Sequence, residues 1–188
     1  SWGQYDEAIK YYKESLAIRK KLGEESGIAL CLDNIGAVYN SRGQYDKAIK
    51  YYKESLAINK KLGQKNGVGA CLGGIGGVYK SWGQYDKAIK YYKKSLAIAE
   101  KLGLESGVAS SLSSIGNVYD LQEKYKTAIK YFTKSIMIKE KLRKTATGDV
   151  RMDYLASQLS TYQTLTSAYI SDSDFPSAYQ TVELSRAK

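Results

Sequence analysis

The chain has 188 residues, a formal net charge of +10 and no histidine. That length holds one domain or one repeat array, and 43% hydrophobic against 26% charged residues excludes a disordered chain. The missing histidine removes the commonest general base and zinc ligand, and two cysteines, Cys31 and Cys71, are too few for a zinc cluster or a disulfide framework.

The first element, "GQYDEAIKYYKESLAIRKKLG" (3–23), has the spacing of an amphipathic helix closed by a glycine. A second helix follows in 27–42, where Ile28, Leu32, Ile35, Gly36 and Tyr39 form one stripe; its start falls between Glu24 and Gly27. "GQYDKAIKYYKESLAINKKLG" (43–63) then repeats the first element with Tyr45, Ala48, Ile49, Tyr52, Leu56, Ile58 and Leu62 on its apolar face. Gly63 stops it at a position suited to a left-handed cap, behind Lys60 and Lys61. The two segments recur at 67–82 and 83–103, and again at 107–122 and 123–143. The period is therefore 40 residues, and a single proline in the whole chain agrees with helix throughout.

A degenerate copy closes the sequence. "SDFPSAYQTVELSRAK" (173–188) matches the glycine-initiated helix, with Asp174 as N-cap and Pro176 in the first turn. Ten residues inserted near 143–152 predict a longer helix before it, over roughly 148–171. Two helices of this size cannot bury both apolar faces alone, but stacked on neighbours they share a continuous core. The expected fold is all-α: an α-solenoid of antiparallel helix pairs. It reads as one array over 1–188, with a lone second helix at 1–23, full repeats at 24–63, 64–103 and 104–145, and a degenerate repeat at 146–188. With no initiator Met and a start inside the pattern, the sequence reads as a fragment of a longer protein.

The run "GGIGGVYKS" (73–81) is a near miss for a phosphate loop. That motif needs glycine at position 79, which is Tyr79, and no strand precedes it. Only Gly76 has glycine counterparts in the other copies, Gly36 and Gly116. Gly69, Gly73, Gly74 and Gly77 replace Ala29, Asp33, Asn34 and Ala37, and each costs roughly 0.5–1 kcal/mol of helix propensity. This predicts a loose helix that offers bare backbone to a partner.

The residues resemble tetratricopeptide repeats in an extended 40-residue form. Leu32, Ile35, Gly36 and Tyr39 fill the large-Leu-Gly-Tyr positions, and Ala48, Tyr52 and Ser55 the small-aromatic-small positions; the later copies match likewise. The flavour is similar to bacterial, especially cyanobacterial, arrays, and the tail is similar to the last repeat before a caspase-like domain of the CHAT type. The resemblance implies that the first helix of each pair faces a concave groove that takes a peptide or helix of a partner. It implies groove positions at Leu30, Asp33, Asn34, Ala37 and Asn40; at Ala70, Gly73, Gly74, Gly77 and Lys80; at Ser110, Ser113, Ser114, Asn117 and Asp120; and at Ser160, Gln163, Thr164 and Ser167. The family's carboxylate clamp needs a lysine where this chain has Asp33, Gly73 and Ser113, which argues against chaperone-tail binding.

The expected function is a non-catalytic interaction scaffold, the recognition arm of a larger protein. Its partner is a protein or peptide, or its own downstream domain, with no cofactor and no metal. Self-assembly of the array is the alternative. Tyr11, Tyr51 and Tyr91 beside Lys10, Lys50 and Lys90 raise base stacking, but most of the basic excess is lysine, less selective for phosphate than arginine, so nucleic acid is the weaker reading. No run of 18 apolar residues argues for a membrane span. The two cysteines read as half-buried free thiols in a reducing, cytoplasmic setting.

Overall fold

The structure is a computed structural model and describes residues 2–146 and 148–186. The described residues form nine helices. These are α1 (Trp2–Leu22), α2 (Glu25–Ser41), α3 (Tyr45–Lys61), α4 (Lys65–Ser81), α5 (Tyr85–Lys101), α6 (Glu105–Leu121), α7 (Tyr125–Thr145), α8 (Gly148–Ser171) and α9 (Phe175–Arg186).

Short left-handed turns separate most of them. Gly43 sits at φ +71° and Gly63 at +67°, where a glycine meets no Cβ penalty. Behind the first, the Gln44 N–H reaches back to the Tyr39 carbonyl at 2.9 Å, so helix-end acceptors are used. Glu123 and Ser173 hold the same conformation at φ 59° and 62° without glycine. Asp174 caps α9 by accepting from the Ser177 N–H at 3.2 Å.

The helices divide into two compact units, residues 1–98 and 99–188. In the first, α1 packs on α2, α2 on α3 and α3 on α4, and α2 lies beside α4. Its core includes Ile9, Leu16, Leu32, Ile35, Ala48 and Ile49. In the second, α6 packs on α7, α7 on α8 and α8 on α9, and α6 lies beside α8. Phe132, Ile136, Tyr162, Leu165 and Ala168 form its core.

Three contacts recur in the α2–α3, α4–α5 and α6–α7 pairs and lock them. First, a buried serine of the glycine-initiated helix donates to a carbonyl of the helix before it. Ser55 reaches Ala29 at 2.9 Å, Ser95 reaches Gly69 at 2.8 Å and Ser135 reaches Ala109 at 2.8 Å. Second, tyrosine rings stack across the pair at 5.4–5.5 Å: Tyr39 on Tyr51, Tyr79 on Tyr91, Tyr119 on Tyr131. These stacks occupy Tyr51 and Tyr91, two of the three rings that raised base stacking. Third, an aromatic ring covers the shared glycine. A Cβ at Gly76 would lie 2.9 Å from the Tyr92 ring, and one at Gly116 would lie 2.7 Å from Phe132.

The glycine-rich helix α4 is therefore not bare. A Cβ at Gly74 would lie 2.4 Å from Tyr52 Cε1, so that ring fills the missing side-chain space. Ile98 covers Gly69 in the same way at 3.3 Å. Only Gly73 and Gly77 leave room, with Ser95 Oγ at 3.5 Å and the Tyr92 hydroxyl at 3.6 Å.

Candidate functional site

The expected groove residues fall on α2 and α4 in the first unit, and on α6 and α8 in the second. The two sets are taken separately.

On α2, Ala37 is exposed while Asp33, Asn34 and Asn40 are half-buried. On α4, Gly73, Gly74, Gly77 and Lys80 are all half-buried. The packing of α2 beside α4 brings Asp33 to Cys71, whose Sγ lies 3.3 Å from Asp33 Oδ1 and 3.3 Å from Ser55 Oγ. Asn59 Nδ2 approaches the same sulfur at 3.5 Å. Both thiols are fully buried rather than half-buried, Cys31 at 5% exposure and Cys71 at 0%. The reason is that their register points between helices, not along the face. Burial pushes the Cys71 thiol up to about 12, and Tyr52 likewise, with the Asp33 charge adding to Tyr52's shift. Such a thiol is a poor nucleophile and behaves as a small core residue.

Burial also raises the Asp33 pKa above the ordinary carboxylate value, against hydrogen bonds with Ser55 and Cys71 that lower it. A carboxyl raised on folding loses stability as pH climbs from its unfolded value through its folded one. Asp33→Asn is therefore expected to raise the melting temperature at neutral pH. The gain should vanish as pH falls below the ordinary carboxylate range, where Asp33 is protonated in both states. Melting curves across that window check it; a pH-independent difference would refute the burial account.

On α6 and α8 the arrangement is more closed. A cleft of about 180 Å3 is lined by Ser113, Asn117, Ser160 and Thr164, all expected, and by Lys139, Thr161, Ser157 and Phe132, which were not. Ser114 and Asp120 are half-buried and Gln163 is exposed, outside the residues that line this cleft. Burial raises the Asp120 pKa. Lys139 is only 7% exposed and donates to the Ser157 carbonyl at 3.1 Å and to Thr161 Oγ1 at 2.7 Å. Burial lowers its pKa from the ordinary lysine value. One signal in the sequence pointed to it. Its register holds Arg19, Asn59 and Ala99 in the earlier copies; Asn59 and Ala99 are buried, so a lysine between two helix pairs enters a core position there.

Clefts also open away from the first-helix faces. One of about 370 Å3 lies in the first unit between α1 and α3, lined by Lys13, Leu16, Lys20, Lys50 and Tyr51 among others. Among the described residues no cluster of ligating side chains fits a metal, and no helix is long and apolar enough to cross a membrane.

Comparison with known proteins follows this geometry. A tetratricopeptide-repeat family profile matches residues 3–61, 27–101 and 67–141. Comparison with curated proteins gives no significant match. Among solved structures, the apo form of RapI is similar at TM-score 0.79 and 20% identity, over 98% of this chain and 48% of that one. A Rap conjugation gene regulator of the plasmid pLS20, in complex with the Phr* peptide, is similar at TM-score 0.74 and 19% identity, over 97% and 48%. A putative kinesin light chain from Podosopora anserina with nearly identical TPR-like repeats is similar at TM-score 0.69 and 21% identity, over 98% and 87%. The chain thus spans about half the length of those two Rap proteins. At these identities the likeness is one of fold.

Proposed function

The chain belongs to the tetratricopeptide-repeat family, and from that premise we propose that it is a non-catalytic scaffold that binds a peptide or helix of a protein partner. The binding surfaces are the first-helix faces of α2 and α4 in the first unit and, separately, those of α6 and α8 in the second. The observation that carries this reading is the cleft in the second unit, where Ser113 and Asn117 of α6 meet Ser160 and Thr164 of α8. Side chains from two repeats converge there without packing against one another as core. The pLS20 regulator, solved with its Phr* peptide, supports a peptide as the class of ligand. A segment of the same polypeptide is an equally suitable occupant.

A display library of random peptides selected on this chain tests the reading. Asn34→Trp and Asn117→Trp are expected to weaken capture of the selected peptides about tenfold or more, as loss of a central contact does. Met137→Trp, on an exposed position of α7, should leave it unchanged. Equal capture by all three variants would place the binding surface elsewhere.

Self-assembly is the second reading. It is favoured by exposed apolar residues on α1 (Tyr11, Ile18, Leu22) and on α9 (Phe175, Tyr179, Leu184). Light scattering separates the two, because a monomer at every concentration removes the second.

A further inference from the structure

Lys139 is a buried cation. No carboxylate among the described residues forms an ion pair with it. The adjacent Glu140 is turned away, held by the Tyr162 hydroxyl and by Gln158 Nε2 at 3.2 Å. An ammonium has three N–H donors, and the two hydrogen bonds to Ser157 and Thr161 leave one unused. Taking a charge out of water with only neutral partners is a standing cost, and apolar replacement of the lysine would avoid it.

The surroundings share the same character. Phe132 closes one side of the cleft, and apart from Lys139 every other side chain lining it is neutral and polar. The Asn117 carboxamide and the hydroxyls of Ser157 and Ser160 line it without donating to any described residue. Ser113, by contrast, is committed to Ser135 at 2.8 Å, and Thr164 to the Ser160 carbonyl at 3.0 Å. One cation and three unused neutral donor groups thus face one space, and no carboxylate of a described residue lines it. The space, about 180 Å3, is well below the roughly 300–1,000 Å3 of a small-molecule pocket. It admits a single acidic group and the carbons next to it. One positive charge with neutral donors matches a monoanion, and a phosphate dianion would lack a second cation.

We infer that this cleft is a carboxylate-binding subsite, with Lys139 as its charge and Asn117, Ser157 and Ser160 as its hydrogen-bond donors. It takes the acidic group of a bound peptide, either a C-terminal carboxylate or an Asp or Glu side chain. The inference rests on the scaffold reading for the rest of the ligand, but the subsite itself is testable without one. The cation comes from α7, at a register that holds Arg19, Asn59 and Ala99 in the other copies, and not from the first-helix position of the family's clamp.

The full chain is titrated with acetate, inorganic phosphate, acetyl-dialanine, its C-terminal amide, and an amide-capped acetyl-Ala-Glu-Ala, while the Asn117 side-chain amide is followed by NMR. The carboxylate probes are expected to shift it, and the fully amidated dialanine to bind about tenfold more weakly or not at all. The acetyl-dialanine and Ala-Glu-Ala arms show which carboxylate source fits better. Lys139→Asn and Lys139→Ala, residues that this register already accommodates, should keep the helical signal and abolish the preference for acid over amide. Asn117→Leu, which removes that reporter and is followed instead through the Thr161 backbone amide, is a second lesion that leaves the charge in place and should weaken binding. Equal shifts for acid and amide, phosphate binding tighter than acetate, or a preference that survives Lys139→Asn would each overturn the subsite. Peptides selected from the library without an acidic residue or free terminus in contact would also overturn it and leave the scaffold intact. Carboxylate binding with no peptide ever selected would uphold the subsite and sink the scaffold.

Discussion

Phe132→Ala is expected to cost about 4 kcal/mol, within the range of large-to-small changes at fully buried aromatic positions. Phe132 is 1% exposed and is the largest fully buried side chain of the second unit. Its ring packs among Ile136, Tyr162, Leu165 and Ala168 and rests on Gly116. Truncation would remove favourable apolar burial and also leave a void. The surrounding helices are joined by Ser135 to Ala109 and by Tyr119 to Tyr131, so they cannot collapse far into it. Chemical denaturation followed in the second unit checks the figure, and a loss below about 1 kcal/mol would mean that the site relaxes freely.

Gly116→Val attacks the same contact from the opposite side, with an expected loss of about 3 kcal/mol from overpacking. A Cβ there would lie 2.7 Å from Phe132 Cε1 and 2.8 Å from Cδ1, distances at which the ring must move. Valine would gain helix propensity over glycine, but only by roughly 0.5 kcal/mol, so the clash decides the sign. The two changes should not add. In a chain carrying Phe132→Ala the valine has space to enter, and the double variant should be more stable than the sum of losses by about 2 kcal/mol, a coupling typical of residues in contact. Additive losses would show that the ring and the glycine do not share the space assigned to them.

The helix pairs were legible in the sequence because their signals are local and repeated. Gly63 stops α3 where its position predicted, at φ +67°, and the stripe through Leu32, Ile35 and Tyr39 is the buried face of α2. The contacts that lock a pair were not legible. Ser55 and Ala29 are 26 residues apart, and no periodicity within a single helix joins a hydroxyl to a carbonyl on another. Tyr51 raised base stacking for the same reason, since the partner on which it stacks, Tyr39, lies across the turn. Gly74 read as open backbone because its own sequence carries no trace of the Tyr52 ring above it. Lys139 escaped for a different reason. A lysine in "IMIKEKL" looks like any other surface cation, the more so because the partly exposed Arg19 holds the same register in the first copy; only Asn59 and Ala99 mark the position as core.

The turn chemistry bears on the gene as well as on the protein. Residues 43–52 and 83–92 are the same ten letters, "GQYDKAIKYY", each opening on a left-handed glycine. Joining Arg42 directly to Gly83 would remove forty residues yet create no junction that the chain does not already contain. Duplication across the same two points would insert forty with equal ease. Such identical stretches are where unequal recombination acts, and here each product keeps its turn, its cap and the first contacts of the next helix. Copy number can therefore change at these two points without creating a new turn or a new cap.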